Sequence, residues 1–412
     1  MSPDAITLLV RNVGELVTCD PARGEAPGVV RGAAVAAAGE RIAYAGDESG
    51  LRGLAMADGV VEVDAAGMAV VPGFVDCHTH AVWLGDRAEE YARRAAGAGY
   101  EEIAAAGGGI AATIAATAPA DTATLVAAAR PRLARMIAAG TTTVEIKTGY
   151  GLALDAELRQ LDATAALGDD PSLPATVATY LPLHGVPPGD RRSFLDEVCD
   201  VGLRQAGARA RFVDAFCEAG AWTVAECERM LTAAASHGLR PKLHADQRSH
   251  SGGAMLAARH HAVSADHLEH ATDADLQALA AAGTVGVLLP GAALVLGGPP
   301  PPGRRLLEAG ATVAIATDCN PGTCWSESMP LMVSLAVATS GLTPAQALLA
   351  ATRGGAAGLA LDDRGVLRAG MRCDLALLST SRWLDIAYHL GGPVVAAVIR
   401  GGRMVGPAPV TA

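Results

Sequence analysis

The strongest constraint on the fold is a regular alternation of short β-branched runs with longer Ala/Leu-rich segments of helical pattern. Eight such runs occupy the central part of the chain, namely MAVVPGFVD, TTTVEIKT, ATVATYLPL, ARFVDAF, RPKLHA, AVSADH, GTVGVLL and ATVAIAT. Several intervening segments close on a glycine suited to a helix C-terminus, as at Gly140, Gly238 and Gly283. Eight strand–helix units in this order predict an α/β fold of the (β/α)8, or TIM-barrel, type.

Polar or ionisable residues follow seven of the eight apolar runs. The carboxyl ends of barrel strands meet on one face, and catalytic groups converge there in this architecture. The sequence therefore predicts one polar site at that face. The strand-end residues are His78 and His80, Lys147, His184, Glu218, His244, His267 and Asp318.

The two flanks of the chain carry a different pattern. Residues 1–68 and 361–412 contain short alternating runs, such as ITLLVRNV and VVAAVIRGGRMVG, that are typical of β-hairpins. Because neither flank alone can bury a good core, we expect both termini to pair in one small β-sandwich domain. The barrel domain is then predicted to span residues 69–360, with the helices after residue 330 closing it.

Composition narrows the choice of partner and compartment. A formal net charge of −11 and the lack of a dense Lys/Arg block argue against a nucleic-acid partner. The eight scattered cysteines form no CxxC pair, which fits a reducing cytosol, and MSPDAITLLVRNVGELV lacks the basic start of a signal peptide. Glycines and prolines interrupt the uncharged stretch GTVGVLLPGAALVLGGPPPP, so we expect a buried strand followed by a loop. We predict a cytoplasmic protein without membrane association.

His78 and His80 are the first candidates for metal ligands. Residues i and i+2 of a strand point to the same side, so the two imidazoles of FVDCHTH can converge on one point. The structural alternative is a pair of buried, hydrogen-bonded histidines. His244 in KLHADQ and Asp318 in ATDCNPGT follow two further strands. Three imidazoles and one carboxylate suit Zn²⁺ or Fe²⁺, which lowers the pKa of a bound water towards about 7 and polarises a carbonyl.

Two further strand-end residues allow more than one interpretation. His267 in SADHLEH is a candidate fifth ligand, a proton-transfer group, a residue that orients a ligand, or a structural histidine. A carbamylated Lys147 would bridge two metals and change the reaction class. We favour an internal ion pair, with Glu145 or another acid of the pocket, because Lys147 comes only one β/α unit after the HxH strand.

Arg87 lies in the loop after the first barrel strand and is a candidate for binding a carboxylate through two hydrogen bonds. The alternative is a surface arginine paired with Glu89 or Glu90. The glycines at 107–109 would allow close approach of a ligand or simply form a turn. Nucleotide binding finds no support, because no P-loop or GxGxxG motif stands at a strand–helix junction.

Eleven segments together resemble the imidazolonepropionase family, which belongs to the metal-dependent amidohydrolase superfamily. They are PGFVDCHTH, GDRAEEY, YEEIAAAGGGI, GTTTVEIKTGYGL, LPLHGVPP, VDAFCE, KLHADQ, SADHLEH, LLPGA, ATDCNPGT and ESMPLMVSLA. The similarity continues into the C-terminal VIRGGRMV and so covers nearly the whole chain. FVDCHTH marks only the superfamily, whereas AAAGGGI, VEIKTGYGL and ATDCNPGT are specific to this family.

The resemblance implies hydrolysis of a ring carbon–nitrogen bond, which converts 4-imidazolone-5-propanoate to N-formimidoyl-L-glutamate in histidine degradation. The resemblance is also compatible with a homodimer. It implies one Zn²⁺ or Fe³⁺ per chain, held by His78, His80, His244 and Asp318. It places substrate contacts at Arg87, Tyr150, His184 and Gln247, and contacts to the glutamyl end of the product at Asn320, Gly322 and Thr323.

The proton-transfer groups follow from the same chemistry. We expect His267 and Asp318 to stabilise or deprotonate the attacking water and to pass its proton to the leaving ring nitrogen, with His184 beside them in the catalytic set. Gln247 is an amide and cannot act as a base, although some relatives carry glutamate there. After LLPGA the family usually has an aromatic-containing segment, whereas this chain has ALVLGGPPPP, which leaves room for a shifted substrate preference.

Three other functions compete with this interpretation. A mononuclear deaminase would use the same ligands, and a hydantoinase-like enzyme would hold two metals with a carbamylated Lys147. A barrel that has lost catalysis and serves as a binding protein is the third. Such proteins tend to lose metal ligands, whereas all four candidates are present here.

Overall fold

The computed structural model describes residues 5–97, residue 102 and residues 107–406. The segment YEEIAAA of the family motif thus lies outside the described residues, apart from Glu102. Within the described residues the strands are β1 (Ile6–Val17), β2 (Val29–Ala38), β3 (Arg41–Asp47), β4 (Met56–Asp64), β5 (Ala69–Pro72), β6 (Phe74–Asp76), β7 (Thr141–Lys147), β8 (Ala175–Leu183), β9 (Phe212–Cys217), β10 (Arg240–Ala245), β11 (Ser264–His267), β12 (Val285–Leu288), β13 (Val313–Ile315), β14 (Leu375–Leu378), β15 (Val395–Arg400) and β16 (Arg403–Val405).

The helices of the described residues lie mainly between the barrel strands. They are α1 (Ala88–Ala95), α2 (Ile110–Thr117), α3 (Thr122–Ala138), α4 (Leu154–Gly168), α5 (Arg191–Glu197), α6 (Leu203–Ala206), α7 (Val224–Ala234), α8 (Gly253–Arg259), α9 (Asp273–Ala282), α10 (Pro290–Leu296), α11 (Gly303–Glu308), α12 (Met329–Thr339), α13 (Pro344–Leu349), α14 (Gly355–Gly358) and α15 (Asp385–Tyr388). Gly140, Gly238 and Gly283 all have positive φ, at 95°, 73° and 72°, so the predicted glycine terminators are confirmed.

Strands β6 to β13 form one sheet in which each strand pairs in parallel with the next. The two ends of this sheet meet after β6 and β13, where Thr79 forms a parallel bridge with Cys319. The backbone N–H of Asp318 donates to the carbonyl of His78 at 3.0 Å and helps to close the barrel. The predicted (β/α)8 barrel is confirmed.

Both termini contribute to a second sheet, in the order β16-β15-β14-β5-β1-β2-β3, with β4 paired to β1. Leu8, Val35 and Leu375 pack in one apolar core between the two termini. The run MAVVPGFVD was predicted as one strand, but it forms β5 in this sheet and β6 in the barrel. Gly73 separates them, and a Cβ there would lie 2.4 Å from the side chain of Thr142, so glycine permits the close approach. The division of the chain at residues 69 and 360 stays a prediction.

The prediction of a loop after β12 is wrong. Pro290 begins α10, and Gly297, with φ of 68°, ends it after seven residues. Proline is tolerated at the first position of a helix because the N–H it lacks would have no partner inside the helix. Among the described residues, no helix is long and apolar enough to cross a membrane.

Candidate active site

Three histidines converge at the carboxyl face of the barrel. His78 and His80 follow β6, and His244 lies near the end of β10. One nitrogen from each ring lies within 4.8 Å of the others, and the Nε2 atoms of His80 and His244 are 3.4 Å apart. All three residues are buried, and Nε2 of His78 has no hydrogen-bond partner among the described residues. Buried imidazole nitrogens that face one another, one of them without a hydrogen-bond partner, form a site able to hold a metal ion.

Asp318 lies beside this cluster. Its Oδ1 atom is 3.6 Å from Nε2 of His78 and 3.6 Å from Nε2 of His80. Burial raises the pKa of Asp318 to about 6. The residue adopts a φ of 50°, which turns the chain sharply after β13. The four candidate ligands named from the sequence are therefore neighbours in space.

Two acids fix the orientation of two of the imidazoles. Oδ2 of Asp266 lies 2.6 Å from Nδ1 of His78, and Oδ2 of Asp214 lies 3.0 Å from Nδ1 of His244. A carboxylate that accepts the Nδ1–H leaves Nε2 as the free lone pair, the form that binds metals. Burial lowers the pKa of both histidines well below the ordinary value, which also favours the neutral ring. These residues fit a metal ion.

Lys147 occupies the centre of a buried charge cluster beneath the histidines. Its Nζ lies 2.8 Å from Asp214, 3.1 Å from Glu145 and 3.3 Å from Asp266. Burial lowers its pKa, but the three acids outweigh that effect and raise the pKa well above the ordinary value. Lys242 also binds Glu145, at 2.7 Å. The predicted internal ion pair of Lys147 is confirmed, and an ammonium held in this way is a poor target for carbamylation.

The sequence interpretation missed Asp214 and Asp266. Each lies inside an apolar strand, in FVDAF and SADH, and both side chains are fully buried. Burying a carboxylate in an apolar strand costs folding free energy unless the carboxylate is paired. An acid inside an otherwise apolar run was therefore the sequence signal that could have identified both residues. Asp214 and Asp266 are the residues that connect the histidines to Lys147.

His184 and Tyr150 line one side of the cluster. The ring of His184 stacks on that of His80 with centroids 4.7 Å apart, and Tyr150 lies 5.9 Å from His80. Burial lowers the pKa of His184 to about 4, so the ring is neutral near pH 7. Gly149 packs so closely that a Cβ there would meet Nδ1 of His184 at 2.6 Å.

Glu157, on α4, anchors the loop that carries Tyr150. Its carboxylate accepts backbone hydrogen bonds from Gly149 at 2.8 Å, Gly151 at 2.6 Å and Leu152 at 3.2 Å. The residue is fully buried, so these three donors satisfy a charge that water cannot reach. Sequence analysis did not identify Glu157.

Arg87 pairs with Glu90, as the alternative drawn from the sequence expected, and its binding of a substrate carboxylate stays a prediction. Its guanidinium pairs with Glu90, whose Oε2 atom also accepts the backbone N–H of Gly109 at 2.7 Å. The pairing uses Nε and Nη2, and Nη1 lies against Gly322, where a Cβ would approach it to 2.1 Å. Arg87 is mostly buried and thus reaches the turn that follows Asp318.

That turn is held together by the side chain of Asn320. The Asn320 amide donates to the carbonyl of Asp318 and to Oγ1 of Thr323, both at 2.7 Å. Its oxygen accepts the N–H groups of Gly322 and Thr323 at 2.8 Å. Thr323 Oγ1 in turn lies 3.3 Å from Oδ2 of Asp318. The three residues linked to the product by resemblance thus form one rigid turn beside a candidate ligand.

Gln247 lies half-buried in the loop after β10. Buried Glu218, after β9, accepts the backbone N–H of Arg248 at 2.8 Å and binds the hydroxyl of Ser249. The strand-end glutamate noted in the sequence therefore holds the loop next to Gln247.

His267 lies close to the cluster, with its ring centroid 5.3 Å from that of His244 and 5.6 Å from that of His78. Its Nδ1 is 3.8 Å from Oε2 of buried Glu269. Burial lowers the pKa of His267, but Glu269 and Asp318 outweigh that effect and raise it above the usual value. Glu269 had not been identified from the sequence.

Comparison with known proteins gives consistent results. Residues 69–405 match the sequence model of the amidohydrolase family. Imidazolonepropionase of Mycolicibacterium smegmatis is 42% identical over 403 residues, which cover 97% of this chain and 98% of that protein. The imidazolonepropionase of Rubrobacter xylanophilus is 45% identical over 402 residues, which cover 96% of this chain and 94% of that protein.

Two solved structures share the fold at low sequence identity. A triazine hydrolase variant has a TM-score of 0.73 at 18% identity and covers 99% of this chain and 96% of its own. An adenosine deaminase from Xanthomonas campestris, solved with bound zinc, has a TM-score of 0.69 at 20% identity. The match covers 100% of this chain and 95% of the deaminase chain. At this level of identity the likeness concerns the fold alone.

Proposed function

Since the chain belongs to the amidohydrolase family and, within it, to the imidazolonepropionases, we propose that it hydrolyses 4-imidazolone-5-propanoate to N-formimidoyl-L-glutamate. The bond broken is a carbon–nitrogen bond of a cyclic amidine. The observation that carries the proposal is the convergence of His78, His80, His244 and Asp318, with Nη1 of Arg87 against Gly322 of the turn after β13. A substrate with a ring amide and a propanoate needs both of these features.

One Zn²⁺ or Fe³⁺ per chain is the cofactor that we propose, with His78, His80, His244 and Asp318 as its ligands. Such an ion, when bound, polarises the ring carbonyl and lowers the pKa of water. A single ion is favoured because Lys147 is tied as an ammonium to three acids. Its amine is therefore not free to carry a bridging carbamate.

Arg87 is proposed to bind the propanoate of the substrate. Glu90 occupies Nε and Nη2 and so holds the guanidinium in one orientation, with Nη1 towards Gly322. Tyr150, His184 and Gln247 are proposed to contact the imidazolone. His184 is suited to this because its stacked ring is neutral near pH 7 and offers both a donor and an acceptor. Asn320, Gly322 and Thr323 are proposed to contact the glutamyl end of the product.

The proton path is proposed to run through His267 and Asp318, with His184 beside them. Water adds its oxygen to the ring carbonyl carbon, and His267 takes the proton that water gives up. The carbon–nitrogen bond then breaks, and the same proton passes to the leaving ring nitrogen. Asp318 shares this role because its carboxylate lies 3.6 Å from two of the imidazoles.

The test uses metal-analysed protein and freshly prepared imidazolonepropanoate. We expect rapid loss of the ultraviolet absorbance of the imidazolone, a product with the mass of formimidoylglutamate, and inhibition by a chelator. One metal per chain should accompany activity. Protein that holds one metal and leaves the imidazolone unchanged would contradict the assigned substrate, and α10 with the proline-rich segment after it would be examined next. Two metals per chain would contradict the mononuclear site.

Two broader properties are also proposed. A cytoplasmic location is supported by the eight cysteines, none of which forms a disulfide in the described part of the chain. A homodimer is compatible with the family and is tested by light scattering of the metal-loaded protein. We propose a small molecule and not a nucleic acid as the partner, in line with the net charge of −11.

A further inference from the structure

Glu269 stands out because its carboxylate is buried without a hydrogen bond. Its side chain is 3% exposed, and neither oxygen has a hydrogen-bond partner among the described residues. Nδ1 of His267 is likewise buried and unpartnered. These two unsatisfied groups face each other, with Nδ1 and Oε2 3.8 Å apart. A carboxylate removed from water is costly unless it is paired, so the arrangement needs a physical reason.

The backbone between the two residues is shaped to bring them together. His267 and Leu268 both have positive φ, at 80° and 72°, which is unusual for residues with side chains. Two hydrogen bonds hold this turn: Leu268 N–H donates to Ala245 at 3.1 Å, and the N–H of residue 270 donates to Asp246 at 2.8 Å. Strain of this kind persists where surrounding contacts determine the backbone, and it clusters at functional sites.

We propose that Glu269 is a positioning residue for His267, whose Nδ1–H it accepts, so that Nε2 of the neutral ring stays unprotonated and available to the reacting proton. The inference rests on the proposed function, in which His267 carries the proton between water and the leaving nitrogen. The separation of Nδ1 and Oε2 is 3.8 Å without substrate, and catalytic contacts of this kind often tighten only when substrate is bound.

Two other buried carboxylates nearby contact the Nδ1 atom of a histidine at shorter distances. Asp266 contacts Nδ1 of His78 at 2.6 Å, and Asp214 contacts Nδ1 of His244 at 3.0 Å. In those pairs the free Nε2 faces the candidate metal position. Glu269 would do the same for a histidine outside the three-histidine cluster, and it would therefore select the tautomer of a proton carrier rather than of a ligand.

The first test compares Glu269→Leu with Glu269→Gln. Leucine removes the acceptor, and we expect kcat to fall about 10–100-fold, as is typical when a histidine loses its orienting partner. Glutamine keeps an acceptor oxygen, so its loss should be several-fold smaller. KM and metal content should stay unchanged in both.

The matched control is Glu226→Leu, which removes the capping-box carboxylate of α7 and should lower stability without lowering kcat. A fall in metal content, or an effect on KM alone, would overturn the proposal.

The second test asks whether Glu269 acts through His267. In a His267→Ala background, Glu269→Leu should reduce the residual kcat no further, whereas an independent or merely structural role would multiply the two losses. Histidine-selective ¹⁵N spectra give a readout that does not need turnover. At a pH where the ring is neutral, we expect His267 to carry its proton on Nδ1 in the unaltered chain and to lose that preference in Glu269→Leu. Multiplied losses or an unchanged tautomer would overturn the inference. Absence of imidazolonepropanoate hydrolysis by the unaltered chain would instead contradict the proposed function.

Discussion

Replacing Asp266 with asparagine tests how the buried acids support the metal site. Oδ2 of Asp266 lies 2.6 Å from Nδ1 of His78 and 3.3 Å from Nζ of Lys147. The asparagine is nearly isosteric and can still accept from Nδ1, but it carries no charge. We therefore expect Asp266→Asn to fold and to bind metal more weakly, because the imidazole of His78 loses its anionic partner.

The magnitude follows from the kind of hydrogen bond that is exchanged. A hydrogen bond to a charged group contributes about 1.5–3 kcal/mol and a neutral one about 0.5–1.5 kcal/mol, so the exchange removes about 1–1.5 kcal/mol. That corresponds to a roughly tenfold weaker metal affinity. The value lies at the lower end of the ~10–100-fold loss typical of residues that orient a ligand. Lys147 keeps Asp214 and Glu145 as partners, so no unpaired buried ammonium results.

The assay is a competition for zinc between metal-free protein and a chromophoric chelator at fixed pH. Asp275→Asn is the matched control, because Oδ2 of buried Asp275 lies 3.0 Å from Nε2 of His250, a histidine outside the three-histidine cluster. Its zinc affinity should equal that of the unaltered chain. If folded Asp266→Asn, checked by circular dichroism, bound zinc within twofold of the unaltered chain, the argument that Asp266 supports His78 would be refuted.

Three further changes test other parts of the site and fold. Gly322→Ala should raise KM more than it lowers kcat, since its Cβ would displace Nη1 of Arg87, and steady-state kinetics measures both. Glu157→Gln places an amide against three backbone donors, so urea unfolding should show a loss of about 1–3 kcal/mol, with a higher KM as the loop carrying Tyr150 loosens. Hydrogen bonds from Ser172 and pairing with an arginine hold the pKa of Asp170 at about 2, so its stabilisation is present above about pH 4 and is lost towards pH 2. The difference in unfolding free energy between Asp170→Asn and the unaltered chain should therefore shrink as the pH falls through that range.

Local sequence patterns were sufficient to predict the barrel. Each β-branched run forms a strand because parallel barrel strands are buried on both faces, which favours continuous apolar residues. The polar residue at the end of seven of the eight runs marks where the strand leaves the core, and this placed His78, His244 and Asp318 on one face. The same local reasoning failed at Pro290, where proline and glycine were taken to exclude a helix. Proline at the first helical position sacrifices no hydrogen bond of the helix. The position of Pro290 at the start of α10 therefore mattered more than the general tendency of proline to break helices.

The contacts that orient the histidines depend on distant pairings that local patterns do not contain. Asp266 meets His78 across 188 positions of sequence, and only closure of the barrel brings them together. The acids inside the strands nevertheless follow a rule that could be applied in advance. A carboxylate in the middle of a buried strand must find a cation or a donor, and the buried groups near it are the strand-end histidines and Lys147. Residues at or just after the strand ends thus supply the candidate ligands, while Asp266 and Asp214 within the strands determine which nitrogen of His78 and of His244 faces the site.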